Sequence, residues 1–157
     1  MAHLHEKIDF TVEVFIVYEN KVLLRKHDKY KILLSVGGHI ELDEDPVQAA
    51  YREVKEEVGL DIELWDPRPV DNSDEYFEEL IPPVVMGRHG SLHPTNHDHI
   101  HITMVYFARA LSDKVEVNFE ADRSDEWKWF TKAEIEQLEL RSNIRAYALR
   151  ALEELAS

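Results

Sequence analysis

Residues 38–60 read GHIELDEDPVQAAYREVKEEVGL. The pattern predicts a helix over 46–58. Asp45 can accept the first free amides, and Pro46 suits the first helical position. Val47, Ala50, Tyr51, Val54 and Val58 fall on one apolar stripe, and Gly59 can end the helix as a left-handed cap. At about 100° per residue, with Glu53 at zero, Glu57 lies at roughly +40°, Glu56 at roughly −60° and the apolar stripe at roughly +120°. Glu53, Glu56 and Glu57 therefore form a carboxylate ledge beside the buried stripe. Like charges at these spacings repel by a few tenths of a kcal/mol per pair. Arg52 can offset part of that by pairing with Glu56 at i+4, and a hard divalent cation would offset more.

Working outward, Ile8–Tyr18 is rich in Val, Ile, Phe and Thr and reads as a strand. Glu19-Asn20 is a turn, and Lys21–Arg25 is the returning strand of a hairpin. Ile32–Val36 reads as a short strand ending at Gly37-Gly38. After the helix, Leu60–Trp65 resumes as a strand, and residues 66–98 read as irregular. Ile100–Ala110 and Glu126–Phe130 read as strands. Thr131 and Glu134 form a capping box that opens a short helix to about Leu138. A C-terminal amphipathic helix follows over Ser142–Leu155. Strands with one central helix and two terminal ones predict an α+β chain, a mixed sheet flanked by helices.

The ledge belongs to a longer pattern. Gly38, Glu44, Arg52, Glu53, Val54, Glu56, Glu57, Gly59 and Leu60 fit G-x5-E-x7-R-E-U-x-E-E-x-G-U, the Nudix box, at every specified position. Seven positions are fixed and two need a large aliphatic residue. A chance match in a chain of this size has a probability on the order of 10⁻⁷. The chain thus resembles the MutT-like Nudix hydrolases.

The resemblance implies an α/β/α sandwich with the box as loop–helix–loop. It also implies hydrolysis of a diphosphate linkage in a nucleoside diphosphate derivative, such as an NDP-sugar, a dinucleoside polyphosphate or a nucleoside triphosphate. It requires Mg²⁺ or Mn²⁺. Glu56 and Glu57 would be principal metal ligands. Glu53 would be a further ligand or water-orienting base, and the Gly37 carbonyl often joins them. Arg52 would orient the glutamates, Glu44 would be structural, and Gly38 and Gly59 would serve the backbone. Val36 stands where the family often has proline, a departure that leaves the ligands untouched. Members of the family often pair as homodimers, and the sequence leaves that open.

Outside the box, Glu120 is the expected extra ligand or base, with Glu116 as second choice. Arg25, Lys26, Lys29, Lys31 and Arg88 are phosphate-side cations or simply solvated. Five histidines fall at 89, 93, 97, 99 and 101, and His97, His99 and His101 would share one face of a strand. His99 and His101 are candidates for substrate contact or a second metal site, although a polar sheet edge with ordinary hydrogen bonds is the readier expectation for any single histidine. Tyr76 and Phe77 are available to stack on a base, although core packing is the readier expectation for Phe77.

The composition narrows the alternatives. The chain has 157 residues, fitting one domain over 1–157. Eighteen Lys+Arg face 32 Asp+Glu, a net charge of −14, which argues against general nucleic-acid or anionic-membrane binding. Residues 41–79 alone carry 15 acidic and 3 basic side chains. A phosphate substrate is still admissible, because a bound cation inverts the local field. With no cysteine, disulfide and thiolate chemistry are excluded, as is an isoprenyl diphosphate isomerase, which would need a catalytic cysteine. No apolar stretch is long enough to span a membrane and the start lacks a secretory signal, so a cytoplasmic location is expected. A non-catalytic sensor of the same fold is the competing function, and the complete set of box glutamates argues against it.

Overall fold

A computed structural model describes residues 7–27, 32–90, 99–117 and 126–157. Glu120, Lys29, Lys31, His93 and His97 lie outside the described residues. The elements in chain order are β1 (Ile8–Tyr18), β2 (Lys21–His27), β3 (Ile32–Leu34), β4 (Val36–His39), α1 (Pro46–Val58), β5 (Ile62–Leu64), β6 (Val85–Gly90), β7 (Ile100–Ala110), β8 (Glu126–Thr131), α2 (Lys132–Gln137) and α3 (Ser142–Glu154).

The strands form one mixed sheet with the core order β3-β2-β1-β7-β5, while β4 pairs with β1, β6 with β7 and β8 with β2. β1 and β7 run parallel at its centre over Ile8–Val17, and the other pairings are antiparallel. β1 alternates between two cores. Val12, Val14 and Ile16 pack with Ala50, Val54 and Val58 of α1. Phe15 and Val17 pack with Ile135 of α2 and with Ile144 and Ala148 of α3. Period-two alternation on a strand buried on both faces thus yields the α/β/α sandwich. Among the described residues no helix is long and apolar enough to cross a membrane.

Four local expectations need correction. The strand expected over 32–36 breaks at Ser35, and Gly37-Gly38 lies inside β4, paired with Glu13 and Val12, rather than ending a strand. The stretch 66–98 contains β6, which pairs with the β7 edge from Val85 to Gly90. On α1 the buried residues are Ala49, Ala50, Glu53, Val54 and Val58, whereas Tyr51 is 40% exposed. The buried arc is therefore rotated toward Glu53, because Gly38 lets the helix come close there. Phe77 is exposed and does not join the core.

The acidic stretch 71–79 is ordered by its own carboxylates. Asp74 accepts the amides of Tyr76 and Phe77, and Asp71 accepts the amide and hydroxyl of Ser73. Arg68 donates to Asp66 and to the Glu79 carbonyl. Such carboxylate-to-amide bonds give a loop without sheet or helix an internal hydrogen-bond supply.

Candidate active site

The site is built around α1. Asp45 caps the helix with a full capping box to Gln48, and Gly59 closes it at φ 67°, the left-handed region that glycine enters at least cost. These two ends fix which way Arg52 and the three glutamates point. Gly38 permits the approach from the other side, since a side chain there would occupy the space of the Glu53 carboxylate.

Arg52 is the hub. Its Nε donates to Glu44 Oε2 at 3.0 Å, and its Nη2 donates to Glu44 Oε1 at 2.6 Å and to the His39 carbonyl at 2.9 Å. Its Nη1 donates to Glu53 Oε1 and to Glu56 Oε2, each at 3.0 Å. The hydrogen bonds from Arg52 hold the Glu44 carboxyl below its ordinary value and keep the guanidinium firmly charged. Glu44 Oε1 also accepts the Glu41 amide at 3.0 Å, tying down the loop before the helix.

The three ledge glutamates differ in environment. Glu53 is 2% exposed, and burial pushes its carboxyl above the ordinary range despite the opposing pull of Arg52. Glu56 is largely exposed, and Glu57 is part-buried with Arg25 Nη1 4.0 Å from its Oε2. Among the described residues, Arg52 lies within ion-pair distance of Glu41, Glu44, Glu53 and Glu56, and Arg25 of Glu57. Carboxylates outnumber the guanidiniums around them here, and their donors are hard oxygens of the kind Mg²⁺ or Mn²⁺ takes.

Two adjoining cavities open on the Glu13 face of the sheet, and the smaller meets the ledge at Arg25, beside Glu57, and at Gly38, beside Glu53. The smaller, about 170 Å³, is lined by Arg25, Gly37, Gly38, His39 and His101, among others. The larger, about 370 Å³, is lined by Arg88, Arg141, Asn143 and Tyr147, among others, and Glu13, Leu34, His89 and Thr103 line both. Burial raises the Glu13 carboxyl, with His89 and Ser35 opposing.

Of the substrate-side residues expected from sequence, Arg25 and His101 line the smaller cavity and Arg88 the larger. His99 is fully buried, its Nε2 3.0 Å from Asp9 Oδ2. Lys26 lies away from both cavities, beside Glu126 and Lys128. Glu116 sits exposed at the C-terminal end of α1, its amide donating to the Val58 carbonyl at 2.8 Å.

Asp9, Glu13 and His39 were not singled out from the sequence. A signal existed for two of them. Asp9, Thr11 and Glu13 are polar at period two within an apolar strand, and His101 and Thr103 repeat that pattern on β7 in register with Asp9 and Thr11. The Thr11 and Thr103 hydroxyls meet at 2.8 Å.

Comparison with known proteins identifies this architecture. A family model described as the NUDIX domain matches residues 9–152. The crystal structure of a NUDIX-family hydrolase from Clostridium perfringens is similar at 35% identity and a TM-score of 0.83, covering 97% of this chain and 99% of that one. A MutT protein from Methanosarcina mazei Go1 is similar at 18% identity and a TM-score of 0.65, covering 98% and 99%. An ADP-ribose pyrophosphatase from Streptococcus suis 89-1591 is similar at 18% identity and a TM-score of 0.57, covering 95% and 92%. No curated protein matches the chain.

Proposed function

The chain belongs to the Nudix hydrolase family, and from that premise we propose that it hydrolyses the diphosphate linkage of a nucleoside diphosphate derivative with the help of Mg²⁺. The observation that carries this reading is the ledge itself. Glu53, Glu56 and Glu57 line one side of α1, and Arg52 engages one oxygen each of Glu53 and Glu56.

Glu56 and Glu57 would hold the ion, with Glu53 and the Gly37 carbonyl as further donors. When bound, Mg²⁺ would neutralise diphosphate charge, lower the pKa of a bound water and hold the attack in line. The remaining work falls to the protein. Arg52 keeps the like-charged carboxylates together and fixes their direction. Glu53, whose carboxyl burial raises above its ordinary range, would serve as the further ligand or water-orienting base. Arg25 reaches into the smaller cavity beside Glu57 and supplies positive charge to a phosphate. Arg88, in the larger cavity, does so farther along the substrate. A diphosphate held at the ledge would reach the smaller cavity past Arg25 and Gly38.

The test is product release from a panel of NDP-sugars, dinucleoside polyphosphates and nucleoside triphosphates, with Mg²⁺, with Mn²⁺ and with chelator. ADP-ribose belongs in the panel because the Streptococcus suis relative acts on it. Metal-dependent turnover of at least one class is expected, falling to background in a folded Glu53→Gln/Glu57→Gln double variant. Undiminished turnover in that variant defeats the assignment. A panel with no metal-dependent product would favour the non-catalytic sensor.

A further inference from the structure

We propose that Asp9, His39 and His101 form a second divalent-cation site, distinct from the glutamate ledge and selective for imidazole-preferring ions such as Zn²⁺ or Co²⁺. The sheet register builds it. Asp9 of β1 lies opposite His101 of the parallel strand β7. His39 of β4 pairs with Thr11, one step along the same face of β1. His89 of β6 pairs with His101, which puts a further imidazole beside the group.

One ligand atom from each of Asp9, His39 and His101 lies within 4.8 Å of the others. Asp9 Oδ2 and His39 Nε2 are 3.3 Å apart. Ligands about 2.0–2.1 Å from a tetrahedral ion stand about 3.3 Å from one another, so this pair already has the spacing of a coordination edge. His101 completes the triangle by an inward shift of its ring. Asp9 is 1% exposed, so its carboxylate is held in a fixed place on this face of the sheet. His99 Nε2, 3.0 Å from the same Asp9 oxygen, fixes how that carboxylate is aimed, as partners of metal ligands commonly do.

The donor chemistry separates the two sites. The ledge offers only oxygens, which suit Mg²⁺. The second group offers two imidazoles and one carboxylate, which suit Zn²⁺ and its neighbours in the transition series. The locations differ too. Asp9, His39 and His101 share the sheet face of Glu13, whereas the ledge faces the Val12 side, where α1 packs. His39 and His101 line the smaller cavity, so three protein ligands would leave one position open to water or to a substrate oxygen there. The proposal stands whether or not the hydrolase reading does, because ion binding is measured directly.

Titration of the metal-free protein with Co²⁺, followed by visible absorption, tests it. A single equivalent bound through nitrogen ligands is expected, displaced by Zn²⁺ and not by excess Mg²⁺. The signal should persist in Glu53→Gln/Glu56→Gln/Glu57→Gln and weaken by at least about tenfold in affinity in His39→Ala/His101→Ala. Loss in the glutamate variant, or persistence in the histidine variant, overturns the site. Should the histidine variant fail to fold, crystals of the unaltered protein soaked in Zn²⁺ and measured at the zinc absorption edge decide the matter. A peak bonded to Asp9, His39 and His101 supports the proposal. A peak confined to the glutamates, or none, overturns it, leaving Asp9 as the hydrogen-bond acceptor of His39 and His99.

Discussion

Arg52 uses every N–H it has. Nε meets Glu44, Nη1 meets Glu53 and Glu56, and Nη2 meets Glu44 and the His39 carbonyl. Lysine retains the charge but offers three donors from a single atom, with no planar fork. Arg52→Lys is therefore expected to leave at least two of these five N–H contacts unmade. The expected cost is about 1–3 kcal/mol in urea unfolding, with turnover falling more steeply than substrate affinity because the carboxylates lose their fixed direction. Unchanged stability together with unchanged turnover would show that charge alone suffices. The Arg52–Glu56 pair was legible in the sequence, since one helix fixes its i,i+4 spacing, whereas the bonds to Glu44 and to the His39 carbonyl, both ahead of the helix, were not. Asp9 and His39 were not, because their meeting with His101 depends on which strands pair and in what register. Local sequence does not carry that information.

At the scale of elements, the hairpin joining β1 to β2 has a two-residue loop, Glu19-Asn20, closed by the pair Tyr18↔Lys21. Glu19 and Asn20 both take positive φ, 45° and 63°. This conformation matches the strand twist, and Asn tolerates it better than Glu. Glu19→Asn is expected to stabilise the protein by about 0.5–1 kcal/mol, although the exposed bond between Tyr18 and Glu19 is lost. Denaturant unfolding reads the change directly, and a destabilised variant would mean that the Tyr18 bond outweighs the backbone strain. Elements with a strong local code, α1 with its caps and β1 and β7 with their β-branched runs, were legible at their observed places. β6 was not. Its Gly87, Arg88, His89 and Gly90 have no strand pattern of their own, and five of its six residues are exposed. It is a strand because the N-terminal half of β7 offers an edge to pair with. The rotation of α1 escaped the sequence for a related reason. A helix of small residues such as Ala49 and Ala50 has a broad face able to pack, and the missing side chain of Gly38 selects which part does.

Across the whole molecule, the charge decides how folding and ligand binding are linked. Most of the net −14 lies in residues 41–79, and that stretch divides into two parts with different physics. Within 71–79, Asp71, Asp74 and Glu79 accept backbone amides, and Asp71 and Glu79 also lie beside Arg68. The ledge glutamates are crowded on one helix beside a buried carboxyl. Anything that binds the native state alone stabilises it, by about 2.7 kcal/mol at a hundred times its dissociation constant. For a chain of this size that is a rise of about 5–10 °C in Tm. Mg²⁺ is thus expected to raise Tm by that amount, and EDTA to reverse it. KCl at matched ionic strength should give far less, because screening acts on all surface charges without selecting the ledge. In Glu53→Gln/Glu56→Gln/Glu57→Gln the Mg²⁺ shift should vanish while the metal-free Tm stays equal or rises, since like charges at i,i+3 and i,i+4 have been removed. A Mg²⁺ shift that survives in this variant would place the ion outside the ledge.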